Sequence, residues 1–146
     1  MSLPDLQGVL LIQCAVTCYM MGLIWFVQVV HYPLFARVGD QASVAYQGAH
    51  MRRTTWVTLP PMLVEAVVVL ILLIPSEGHQ PGWMEWVGAL LLGVIWLSTF
   101  LIQVPCHEKL AVSFQAVVHR RLVATNWIRT LCWTLRAGLA LAMMAV

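Results

Sequence analysis

Charge is what this chain has least of. Only 10% of its 146 residues are Asp, Glu, Lys or Arg, against 61% hydrophobic, too few to cover an apolar interior with a polar surface. That excludes an ordinary soluble domain and makes the bilayer the expected solvent. Also missing are any flavin, nicotinamide or Fe–S motif and a Cys-x-x-Cys-His haem signature, so a redox cofactor would have to be held by histidine alone. No nucleic-acid motif is present, and a net charge of +2 suits an anionic leaflet better than a nucleic acid. Cys14, Cys18, Cys106 and Cys132 show no disulfide or metal spacing beyond an i, i+4 pair at 14 and 18. Each reads as a small buried hydrophobe. The opening MSLPD has no basic n-region, and the apolar run behind it exceeds the roughly 7–15 residues of a signal h-region, so that run reads as a first span.

What is there is apolar length. Runs over about residues 6–30, 56–74, 83–104 and 122–146 each approach the roughly 20 residues that cross the hydrocarbon core as a helix. The expected fold is all-α: one four-transmembrane-helix bundle over residues 1–146, multi-pass, in a bacterial inner membrane. Arg37, Arg52 and Arg53 lie between the first two runs, and Lys109, Arg120 and Arg121 between the last two, whereas residues 75–82 carry Glu77 and no Lys or Arg. By the positive-inside rule the two basic connections are cytoplasmic and helical, with both termini outside. Pro33, in His31-Tyr32-Pro33, is expected to stop the first helix at the water boundary. Asp40 is expected to cap an amphipathic helix running along the interface or into the second span, with a bend at Pro60-Pro61.

The few polar residues inside these runs mark a site or a partner, because ionisable groups are costly in lipid. Glu65 lies about 13 Å into the second run counted from Trp56, and Arg129 about 10 Å into the fourth counted from Leu122. A salt bridge between Glu65 and Arg129 is the expectation. Asn126, Arg129, Trp133 and Arg136 follow i, i+3, i+7, i+10 and form one stripe facing the interior or another subunit. Only Glu85 stands out as an acidic partner for Arg136.

The two basic connections echo each other. Gln28-Val-Val-His31-Tyr-Pro33 stands beside Gln103-Val-Pro105-Cys-His107, and Tyr46-Gln47-Gly-Ala-His50 beside Phe114-Gln115-Ala-Val-Val-His119, each followed closely by paired arginines. Halves related by an axis along the membrane normal would give such an order. Either way His31, His50, His107 and His119 gather near one boundary, above Gln28 and Gln103. Neutral imidazoles with a carboxylate nearby suit an Fe, Cu or Zn ion. Headgroup contact and proton transfer are the other readings.

At VPCHEKL, followed by TNWIRTLCWTLRAGLAL, the chain resembles the anthrone-oxygenase-like family of small membrane proteins. Members carry Val-Pro-x-Asn-x-x-Leu after the third span and Trp-Asn-His-x-Arg-Thr at the start of the fourth. Val104, Pro105 and Leu110 match the first pattern, and Asn126, Arg129 and Thr130 the second. His107 stands where the family has Asn, Thr125 where it has Trp, and Trp127 where it has His. The likeness covers about the last third of the chain, and the first half only in topology and in the proline after the first span. It implies a four-helix membrane fold and, for a few relatives, oxygenation of a polycyclic anthrone to a quinone.

Two functions follow. One is a membrane oxidoreductase or oxygenase for a lipophilic aromatic or quinone-like molecule, with Glu65, Arg129 and Asn126 as catalytic residues. Gln28, Gln103, Arg136 and Trp133 would bind the ligand, and a histidine-bound metal would sit on His31, His50, His107 and His119. The other is a non-catalytic subunit packed against other membrane subunits or its own copies, which an unmatched Arg136 would favour. A transporter or channel ranks third.

Overall fold

The computed structural model describes residues 3–145, and these are helical almost throughout. Helix α1 (Leu3–Phe26) passes through a π-helical turn (Val27–His31) into α2 (Tyr32–Phe35), and α3 (Asp40–Leu73) returns. The second half repeats that order: α4 (Trp83–Ser98), a π turn (Thr99–Gln103), α5 (Val104–Val112) and α6 (Ala116–Met144). Three continuous helical stretches, Asp5–Phe35, Gln41–Leu73 and Trp83–Val112, are long and apolar enough to cross a membrane. The chain therefore fits a multi-pass membrane protein. Helical structure suits lipid because every backbone N–H and C=O is satisfied within the segment.

Pro33 does not stop the first helix. It sits in the first turn of α2, immediately beyond a π turn in which the Tyr32 N–H bonds the Val27 carbonyl. Pro105 follows the second π turn in the same way, with the Val104 N–H bonded to the Thr99 carbonyl. In a regular helix each proline ring would strike the carbonyl four residues earlier, and the wider turn moves that carbonyl aside. Residues 27–31 thus correspond to 99–103 and Pro33 to Pro105. In this register Gln103 falls on His31, so the glutamine echo read from the sequence is out of phase with the structural repeat.

The amphipathic segment from residue 40 runs straight into the second apolar run as one helix that contains Pro60 and Pro61. The Asp40 side chain, expected as a cap, lies outside the described residues. Gly39 precedes it at φ 80°, a conformation that requires glycine. At the other end of α3 the 74–82 connection is a tight turn closed by paired Ser76–His79 backbone bonds, with Gly78 at φ 82°. Glu85 is occupied at the start of α4, accepting the Gly82 N–H at 2.8 Å.

In the bundle, α1 and α4 each pack against both α3 and α6, which leaves α3 and α6 on a diagonal. Met20, Ile24, Met62, Leu92, Ile95 and Trp133 fill the centre. Across the diagonal the Arg136 guanidinium pairs with the Glu65 carboxylate, and it also donates to the Gly88 carbonyl of α4. Thr17 of α1 donates to the other carboxylate oxygen. One ion pair thereby ties all four long helices together.

This corrects the expected Glu65–Arg129 bridge. Counting from Trp56 and Leu122 misjudged depth, because α3 and α6 begin well before those residues. Glu65 and Arg136 each stand eight residues before the last residue of their helix, Leu73 and Met144, about 12 Å in. Arg129, a further two turns away, is out of reach. Arg136, for which only Glu85 is expected as an acidic partner, meets Glu65 and Gly88 instead, so it no longer argues for a neighbouring subunit.

Removing one member of a buried pair leaves the other charge uncompensated, at a cost of about 3–5 kcal/mol, whereas apolar replacement of both is often tolerated. Glu65→Leu and Arg136→Leu are each expected to lower the melting temperature in detergent more than the double substitution does. A double variant as unstable as the sum of the singles would contradict the pairing.

Candidate functional site

Above the ion pair, toward the end where α2 and α5 lie, a second polar layer joins the first π turn to α6. The Gln28 amide nitrogen donates to the Val123 carbonyl at 3.1 Å, and its oxygen accepts the Asn126 amide at 2.8 Å. Thr130 reaches the same oxygen at 3.4 Å. Asn126 in turn accepts from the Arg129 guanidinium at 3.4 Å. Gln28 and Asn126, expected to touch a ligand and to serve in catalysis, are therefore occupied in holding the first π turn on α6 and orienting Arg129.

The third layer is the imidazole cluster. His31 Nε2 and His50 Nδ1 are 2.8 Å apart, and Thr54 bonds the same His50 nitrogen at 3.0 Å. His107 Nε2 meets the Tyr32 hydroxyl at 2.9 Å, while its Nδ1 meets the Gln47 amide at 2.5 Å. The rings of His50 and His107 lie 5.2 Å apart. His119 does not join them. Its Nε2 bonds the Tyr32 carbonyl at 2.8 Å, a group freed by the end of α2 at Phe35.

These residues do not fit the expected four-histidine metal centre. Among the described residues no group of three or more His, Cys, Asp or Glu is placed to hold a metal ion. Two imidazole nitrogens 2.8 Å apart share a proton, whereas metal–nitrogen bonds of about 2.0–2.1 Å in tetrahedral geometry would spread them further. Both nitrogens of His107 are engaged as well.

Between the second and third layers lies a cavity of about 310 Å³. Met20, Leu23, Ile24, Met62, Trp96 and Phe100 make its apolar wall, and Tyr32, His50, Gln103, His107 and Arg129 its polar one. Both π turns contribute, through Val27 in the first and Thr99, Phe100 and Gln103 in the second. Phe100 is 58% exposed and Leu59 41%, so the cavity reaches the outer face of the bundle between α3 and the second π turn.

Arg129 is the group that gives the cavity its character. It is buried; among the described residues no carboxylate bonds it and its Nε–H has no partner, and the phenol of Tyr32 is its electrostatic neighbour. One proton lies between the Tyr32 hydroxyl oxygen and His107 Nε2, and the Gln47 amide at Nδ1 sets the His107 tautomer. Tyr32 thus stands beside both Arg129 and His107, the middle of a three-residue relay that is hydrogen-bonded at its histidine end.

Of the residues expected from sequence, Arg129, His50, His107 and Gln103 line the cavity. Glu65, Arg136, Gln28, Asn126 and Trp133 lie outside it, and Trp133 packs under Arg136 with the guanidinium carbon 5.8 Å from its ring. Tyr32 and Gln47 were missed. Tyr32 stands in the His-Tyr-Pro word that read as a helix stop, and Gln47 recurs with Val44 and Met51 on an amphipathic face, so both carried a positional signal without a chemical one.

Gln28→Leu leaves the Asn126 amide buried without its acceptor, which costs about 1–3 kcal/mol. The variant is expected to melt well below wild type, with Asn126→Leu adding little in the double variant; additive losses would separate the two residues. Comparisons with protein-family profiles, with curated proteins and with solved structures give no match.

Proposed function

We propose that the protein is a four-span membrane enzyme that draws a lipophilic, ring-bearing ketone from the bilayer into this cavity and oxidises it there to a quinone-like product. The observation that carries the reading is Arg129: a buried cation without a carboxylate, one donor unpartnered, on the wall of a mainly apolar cavity beside a Tyr–His pair. A carbonyl whose oxygen becomes anionic on enolisation fits that donor. His107, with Tyr32 between it and Arg129, is the base that would take the proton.

A fourth crossing by α6 is part of the proposal. Arg129 and Arg136 face inward, while Leu131, Leu135 and Leu141 are exposed on the same helix, as in a lipid-facing surface. With Arg37, Arg52, Arg53, Lys109, Arg120 and Arg121 all near the imidazole end, that end is cytoplasmic and the termini lie outside.

The likeness to the anthrone-oxygenase-like family, carried by Val104, Pro105, Leu110, Asn126, Arg129 and Thr130, selects the reaction to test. A ring CH₂ and one O₂ become a ring C=O and one water. Purified protein in lipid nanodiscs is expected to speed oxygen uptake by anthrone, with one anthraquinone formed per O₂ consumed. Arg129→Gln should lower the rate about 100-fold, as loss of an oxyanion donor does, and His107→Ala should lower it too, with melting temperatures confirming that each variant folds. Equal rates for wild type and Arg129→Gln would overturn the assignment.

A further inference from the structure

A second orphaned group belongs to a residue of the same cavity wall, and its identity can be fixed. Gln103 is 2% exposed and lines the cavity, and among the described residues its Oε1 has no partner. Its Nε2 donates to Thr125 Oγ1 at 3.1 Å. An amide can be flipped to exchange its oxygen and nitrogen, but not here. The Thr125 hydroxyl spends its only proton on the Arg121 carbonyl at 2.7 Å, so toward Gln103 it can only accept. The amide nitrogen must face Thr125, and the group left over is an acceptor.

The cavity wall thus includes a residue of α6 with an unmet donor, Arg129, and a residue of the second π turn with an unmet acceptor, Gln103. A buried acceptor left empty costs stability in every state except the one that fills it. We propose that Gln103 is a specificity residue that selects ligands bearing a hydroxyl or N–H in addition to the oxygen received by Arg129, and that Thr125 is the positioning residue that holds the amide in that sense. The inference rests on the cavity being a ligand site, and it narrows the ligand from a lipophilic ketone to a lipophilic hydroxy- or amino-ketone. Selection against the bare ketone follows from the physics of buried polar groups. A site built to bond a hydroxyl rejects the analogue that lacks one far more strongly than an apolar wall rejects an added methylene.

The test uses three bicyclic probes with the full-length protein in nanodiscs: 6-hydroxy-1-tetralone, 6-methoxy-1-tetralone and 1-tetralone, with binding read from quenching of tryptophan fluorescence, since Trp96 lines the cavity. Wild type is expected to bind the hydroxy compound at least about tenfold more tightly than the methoxy compound, the scale of one buried hydrogen bond. Gln103→Leu should bring the two within about twofold while still binding both. Thr125→Val, which leaves Gln103 in place but frees the amide to turn, should weaken the preference, and Thr125→Ser should restore it. A tenfold preference that survives Gln103→Leu overturns the proposal, as does a wild type indifferent to the hydroxyl, which would mean that water fills the acceptor. Both results leave the Arg129 reading standing if Arg129→Gln still weakens all three probes. Failure of every tetralone to bind wild type would overturn both readings together.

Discussion

The fold depends on a charge pair placed where water cannot reach it. Glu65 and Arg136 meet across the diagonal of the bundle, with Thr17 and Gly88 completing their hydrogen bonds. Apolar side chains gain little by associating in lipid, so packing and interhelical polar contacts must specify which helices adjoin. Here one contact reaches all four. It ties α3 to α6, which otherwise touch little, and it brings α1 and α4 to the same point.

The same pair settles what is left for chemistry. Two guanidiniums stand inside the bundle, and Glu65 serves one of them. Arg136 is compensated and becomes structure, and Arg129 is not compensated and becomes the cavity's cation. Gln28 and Asn126 then hold Arg129 in place from below while Tyr32, bonded to His107, lies beside it from above. A carboxylate beside Arg129 would have closed the site electrically. Its placement two turns deeper, beside Arg136, leaves the cavity open to an acidic oxygen.

Much of this was legible in the residues and some was not. Helical architecture and apolar lengths follow from composition alone, and the inward stripe of Asn126, Arg129, Trp133 and Arg136 follows from helical spacing, with all four buried as expected. The partner of Glu65 was misread because depth was counted from the starts of the apolar runs, and α3 and α6 begin before those starts by unequal lengths. The histidines converge only in part for a similar reason. His119 follows α5 closely and is used up on the backbone of α2, whereas His31, His50 and His107 come from three different helical segments. Tyr32 was hidden by the proline after it, which reads as a terminator unless the π turn before it is known.

Those two π turns have a further consequence. Each amounts to one residue more than a regular helix would need, inserted immediately before the side chains that build the upper wall of the cavity. Deleting a residue from either turn would rewind the helix and rotate everything beyond it by about 100°. Tyr32, or His107, would then swing from the interior toward lipid while every amino acid of the relay was still encoded. Chain length at these two points is as much a part of the site as the identity of any residue in it.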